Sequence, residues 1–219
     1  GADTLNAGGG NDKLEGGTGA DTLNGGAGSD EFNFNQGDSP LVTFTDSVGN
    51  ANTGRVGSDD TFAFAGGAGD VIASGFSVSG SNNTGDRINL WTSGGNITNP
   101  NPMMSGGTLI VPTDGKVADQ QYFVVRGNYG ANGTFTVDNG IGTDSLVVYD
   151  GDQSSAVSQT ALVIKGVQPS QLTENWGQIY INPNQTDITS PLLVSSAVND
   201  NLLTVTFNEA LNVSSPGLS

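Results

Sequence analysis

Along the first 34 residues, apolar side chains come singly and at a fixed interval. Leu5, Leu14, Leu23 and Phe32 fall nine residues apart, each between two polar neighbours in "TLN", "KLE", "TLN" and "EFN". One inward residue flanked by two outward ones is the pattern of a three-residue strand. From Leu41 to Ile181 the pattern changes to short apolar runs separated by turn residues. Strands are predicted there at 41–45, 60–65, 71–78, 86–91, 108–112, 121–127, 133–138, 144–151, 161–166 and 177–181. Helical periodicity is nearly absent. Its best case, "QPSQLTENW" (168–176), predicts a helical turn or two. The longest gap between strands is 92–108, where Pro100 and Pro102 are expected to break any strand and Met103 and Met104 form an apolar tip. That tip either folds back onto the core or meets another subunit. The expected fold class is all-β.

A second set of marks keeps the same period. Asp3, Asp12, Asp21 and Asp30 precede the apolar residues by two, and Gly1, Gly10, Gly19 and Gly28 precede the aspartates by two. Glycine loses more conformational entropy on folding than any other residue, so something must offset that cost. A flexible acidic linker would not hold Leu, Leu, Leu and Phe in phase with the aspartates.

The segments "AGGGNDKLE", "GGTGADTLN" and "GGAGSDEFN", after a partial "GADTLN", resemble the RTX nonapeptide, the hemolysin-type calcium-binding repeat. Two copies fit fully, Ala7 replaces a glycine in another, and the first lacks its opening three residues. The resemblance implies a parallel β-roll in which six residues make a turn, three make a strand, and two repeats complete one coil. Asp3 then stacks beside Asp21, and Asp12 beside Asp30. It further implies Ca²⁺ between stacked turns, held by Asp3, Asp12, Asp21 and Asp30 and by turn carbonyls around Gly8, Gly10, Gly17, Gly19, Gly26 and Gly28. Such a set suits a hard cation that takes six to eight oxygens.

The chain is read as three parts: a roll at 1–36, a β-rich cap at 37–186, and a third module at 187–219. "GGAGDVIASGF…GDRINL" is similar to the cap strands that succeed RTX repeats, although Gly75 stands where family members often carry Asp. Asp70 is placed to cap the last turn, as a metal ligand or as a turn aspartate bonding its own backbone. "DGDQS" (150–154) offers Asp150 and Asp152 at EF-hand spacing, but Ala161 sits where the closing glutamate belongs, and a plain hairpin turn competes. "TSPLLVSSAVNDNLLTVTFNEAL" (189–211) is similar to the opening of bacterial Ig-like surface-protein repeats, including cyanobacterial ones. Two strands cannot complete a sandwich and offer edges for strand addition.

Charge narrows the function. Twenty-two acidic residues oppose six basic ones, for a net charge of -16. That disfavours nucleic acid and anionic membrane surfaces and suits cations as partners. No apolar run is long enough for a membrane helix. Cysteine and histidine are both absent, which removes thiolate chemistry and the commonest general base. The expectation is a structural, non-enzymatic section of a secreted bacterial cell-surface protein: surface layer, filament, sheath or adhesin. The RTX resemblance implies type I secretion, with a signal beyond residue 219, and folding on calcium after export. Self-association into an array is expected. Two alternatives stand beside it. One is the calcium domain of a secreted enzyme, though neither His-Glu-x-x-His nor Gly-x-Ser-x-Gly occurs. The other is a glycan-binding module using Trp91, Tyr129 or Trp176.

Overall fold

The computed structural model describes residues 1–35, 37–45, 59–76, 85–90, 101–102, 104–105, 108–109, 115–117, 121–138, 140–150, 159–175, 178–181, 193–199 and 202–207. The protein is all-β, and among the described residues only two short 3-10 turns, Ala65–Gly67 and Pro169–Gln171, interrupt the strands and loops. Gly1–Asn184 form one compact unit and Gln185–Ser219 a second.

The repeat strands are β1 (Thr4–Asn6), β2 (Lys13–Glu15), β3 (Thr22–Asn24) and β4 (Glu31–Phe34). They go alternately to two sheets. β1 pairs in parallel with β3, Leu5 opposite Leu23, and β2 with β4, Leu14 opposite Phe32. Both sheets then continue past the repeats. β3 pairs with β7 (Asp70–Ser74), and β4 with β8 (Arg87–Leu90), again in parallel. With β5 (Val42–Thr45), β6 (Thr61–Phe64), β9 (Asn101–Pro102), β12 (Gln121–Tyr129), β13 (Thr134–Val137), β14 (Asp144–Asp150) and β15 (Thr160–Ile164), the first sheet reaches ten strands. Its order is β1-β3-β7-β15-β14-β12-β13-β6-β5, with β9 beside β12. The second has five, ordered β16-β17-β8-β4-β2, where β16 is Leu172–Asn175 and β17 is Gln178–Ile181.

Leu14, Leu23 and Phe32 are buried between the sheets with Ile72, Ile88 and Ile164. Their flanking residues turn outward as the alternation requires: Lys13 and Glu15 are exposed, and Asn24 is half-covered by its own polar row. The large sheet carries a second core on its other face, with Phe62, Phe135, Leu146, Val148 and Val163. Every residue of β14 and β15 is therefore buried, which explains why "LVVY" and "ALVI" read as unbroken apolar runs.

The helical turn expected within 168–176 is the single 3-10 turn Pro169–Gln171; Leu172–Asn175 are strand, and Trp176 lies outside the described residues. The Gln168 N–H donates to Gln171 Oε1 at 2.8 Å, Leu172 packs on the core, and β16 pairs antiparallel with β17. A tertiary partner overrides a weak local preference. One expectation is corrected: Pro102 does not prevent a strand. Asn101–Pro102 pair in parallel with Gln121 and Tyr122, a short stretch at which a missing N–H is tolerated. Met104–Ser105 (β10) pair with Thr108–Leu109 (β11), while Met103 and Ile110–Pro112 lie outside the described residues, as does the packing of the methionine tip. In the second unit, Leu193–Asn199 (β18) and Leu202–Phe207 (β19) form an antiparallel hairpin.

Candidate metal centre

Parallel pairing in register brings the residue before each strand level with its counterpart, about 4.8 Å away across the sheet. That residue is an aspartate in every roll strand, and the aspartates form two ladders. In the first, the Asp3 N–H donates to Asp21 Oδ1 at 2.7 Å and the Asp21 N–H to Asp70 Oδ1 at 2.8 Å. In the second, the Asp12 N–H donates to Asp30 Oδ1 at 2.9 Å and the Asp30 N–H to Asp86 Oδ1 at 2.6 Å. The carboxylates of Asp21, Asp70, Asp30 and Asp86 thus each bind the backbone of the rung before through one oxygen.

The other oxygens are the chemical anomaly. Oδ2 of Asp12, Asp21 and Asp30 is buried and has no hydrogen-bond donor. An anionic oxygen removed from water without a partner is strongly unfavourable, and stacked carboxylates repel one another besides. The arrangement fits a cation. Among the described residues no three acidic side chains converge on one point that could hold a metal ion.

The turn backbones of successive coils stack closely. The Ala27 N–H donates to the Gly8 carbonyl at 2.7 Å, and the Gly10 N–H to the Ala27 carbonyl at 2.8 Å. At Gly26 and Gly28 an added Cβ would collide with the Gly8 and Gly10 carbonyls stacked one coil away, and at Gly19 with that of Gly1. Gly28 also has φ +142°. Only glycine lets the backbones come this close. Gly17 has φ +80° but open space where a side chain would go.

All four repeat aspartates therefore lie on the ladders, with Asp3 exposed at the edge and Asp21 and Asp30 buried. Asp70 continues the first ladder. Its Oδ2 accepts the Ser39 hydroxyl at 2.6 Å, and Ser39 Oγ accepts the Tyr149 hydroxyl at 2.8 Å. Burial pushes the Asp70 carboxyl up to about 6, against hydrogen bonds from Ser39 and the Asp21 N–H that pull it down. Burial also raises the Tyr149 phenol far above its ordinary value.

Asp86, Ser39, Gly16 and Gly25 escape the sequence reading. A Cβ at Gly16 or Gly25 would strike the Asp21 or Asp30 carboxylate. The signal for Asp86 was present: Asp70-Val71-Ile72 and Asp86-Arg87-Ile88 repeat the Asp-x-apolar order of the roll, but at 49 and 56 residues rather than 18. Gly75, where an aspartate was expected, has φ +77° and lies against the Gly25–Gly26 backbone. Asp150 is buried at the end of β14, and the rest of "DGDQS" lies outside the described residues. Of the aromatic candidates only Tyr129 is described. Its hydroxyl accepts the Gly69 N–H at 2.9 Å, and its ring packs edge-on against Phe64 and beneath Lys165.

On the outer side, Glu31 is paired with Arg87 and lies 3.9 Å from Lys13. Burial raises its carboxyl, but hydrogen bonds to Arg87 and Asn33 and the charges of Arg87 and Lys13 together outweigh this and hold it below the ordinary glutamate range.

Residues 1–38 match the family described as the RTX calcium-binding nonapeptide repeat, in four copies. These repeats bind Ca²⁺. No curated protein and no solved structure matches the chain. Among the described residues no helix is long and apolar enough to cross a membrane, which says nothing of a β-barrel.

Proposed function

We propose that this chain is a calcium-locked structural section of a secreted bacterial surface protein, with Asp12, Asp21 and Asp30 as the acidic metal ligands. Asp3 supplies a further carboxylate at the roll edge. The carbonyls of the turns containing Gly8, Gly10, Gly17, Gly19, Gly26 and Gly28 complete the oxygen set. The observation that carries this reading is the trio of buried carboxylate oxygens without donors. Calcium supplies the positive charge that cancels their repulsion, so metal binding and closure of the roll are one equilibrium.

The role is a consequence of that coupling. At low calcium the acidic, glycine-rich segment stays open, which suits export. At the millimolar calcium of extracellular fluids it closes. Among the described residues, strands β1, β2 and β16 each pair on one side only, and such edges suit assembly of copies into a layer or filament, with calcium screening the charge between subunits.

The experiment is a calcium titration of the whole chain, monitored by far-UV circular dichroism and light scattering together. The expected outcome is a calcium-dependent gain of β signal, and scattering that rises with it and falls on chelation. A chain equally folded with and without calcium would overturn the metal-locked reading. A fully folded monomer at millimolar calcium and high protein concentration would overturn the array.

A further inference from the structure

We propose that Ser39 and Tyr149 set where the calcium ladder stops: the level at Asp70 is closed by two hydroxyl groups and takes no cation. This rests on the calcium reading of the roll and specifies which rungs it covers.

The level is identified by the backbone. The Gly19 N–H donates to the Asp38 carbonyl at 3.1 Å, which lays residues 37–39 over the turn that leads into Asp21. A turn from one part of the chain and a strand from another, β7, together stand in for the next coil. Asp70 repeats the geometry of the rungs below it through Oδ1, which accepts the Asp21 N–H. Its Oδ2 differs. Where Asp12, Asp21 and Asp30 each present a buried oxygen with no donor, Asp70 accepts the Ser39 hydroxyl, and Ser39 in turn accepts the Tyr149 hydroxyl.

The relay is built from the interior. Ser39 is 3% exposed and Tyr149 fully buried, and Tyr149 comes from β14, 110 residues further along the chain. Each hydroxyl proton is committed in one direction, tyrosine to serine and serine to carboxylate. A cation at Asp70 Oδ2 would face the serine proton. Turning that proton aside would break the relay where no water replaces it, and buried hydrogen bonds left unmade are costly. The hydroxyl pair therefore fills at this rung the place that a cation fills at the others. It keeps the Asp21 N–H engaged whether or not metal is present.

The test counts calcium ions bound per chain by equilibrium dialysis, at the free calcium that just saturates the wild type. Asp21→Asn should bind one ion fewer. Asp70→Asn and Ser39→Ala should bind as many as the wild type. Loss of one ion in either of the latter would overturn the proposal, since a metal at this level would need that carboxylate or that hydroxyl. If Asp70→Asn does not fold, Ser39→Ala, which removes a single oxygen, decides alone. A wild-type count of zero would overturn the calcium reading itself and this proposal with it. Binding by the wild type that Asp21→Asn and Asp30→Asn both leave intact would overturn the ligand assignment, and with it the contrast on which this proposal rests.

Discussion

Asp70 lies 49 residues beyond Asp21, yet its carboxylate accepts the Asp21 N–H at 2.8 Å, as Asp21 accepts that of Asp3 at 2.7 Å from only 18 residues away. The rung spacing is a property of the sheet, not of the chain length between rungs. β7 takes up the parallel register with β3 at Thr22–Val71 and Leu23–Ile72, and an irregularity then sets Asn24 opposite Ser74.

The unpartnered oxygens make the first prediction. Asp21→Asn or Asp30→Asn removes a charge from a buried oxygen while keeping the acceptor that the neighbouring N–H needs. A charged partner contributes about 1.5–3 kcal/mol more than none, so the calcium midpoint of folding should rise by roughly ten- to a hundredfold. A circular dichroism titration reads this directly, and an unchanged midpoint would remove these residues from the site.

Leu23 is fully buried between the sheets. Leu23→Ala should cost about 2–5 kcal/mol in saturating calcium, measured by urea unfolding. A Leu23→Asp chain should lose calcium-dependent folding altogether. If it keeps wild-type stability, the inward assignment of the repeat apolar positions is wrong.

Two glycines of positive φ should respond differently. At Gly17 a side chain has room and only the positive φ opposes it, so Gly17→Ala should cost about 1–2 kcal/mol. At Gly28 a Cβ would also collide with the Gly10 carbonyl of the next coil. Gly28→Ala should therefore weaken calcium-induced folding far more. Equal effects in thermal melts would argue against tight carbonyl stacking.

Asp144 provides a pH test away from the roll. Burial pushes its carboxyl up. Its hydrogen bonds from Lys165 at 2.7 Å and from the Tyr129 and Gly166 N–H groups at 3.0 Å outweigh burial and hold it below the ordinary value of 3.8. A depressed folded pKa gives stability that is present above 3.8 and lost as pH falls below it. Lys165→Met should raise the pH of the acid-unfolding midpoint and leave neutral-pH calcium binding unchanged. An acid limb that does not move would show that the ion pair contributes nothing.

The roll was legible because period and chemistry coincide: Leu14, Leu23 and Phe32 mark one interior face, and Asp12, Asp21 and Asp30 mark one edge. β14 and β15 were legible as strands, but their two-sided burial was not, since an unbroken apolar run does not say which sheets flank it. Asp86 was hidden because its partner Asp30 lies 56 residues away, and no fixed period reaches that far. Ser39 was hidden for a different reason. A serine before a proline reads as a turn, and only the arrival of Tyr149 from β14 gives its hydroxyl a second bond.

β7 pairs on one side with β3 of the roll and on the other with β15. The roll consequently ends in a shared strand instead of a docking surface, and no joint separates it from the rest of the large sheet. Tension applied along the strand direction would load the hydrogen bonds beside β7 in shear, many at once. Tension applied across the strands would open them one by one, like a zip. A protein anchored so that force runs along its strands would behave as a stiff strut. The same protein pulled sideways would yield first at its exposed β1 edge.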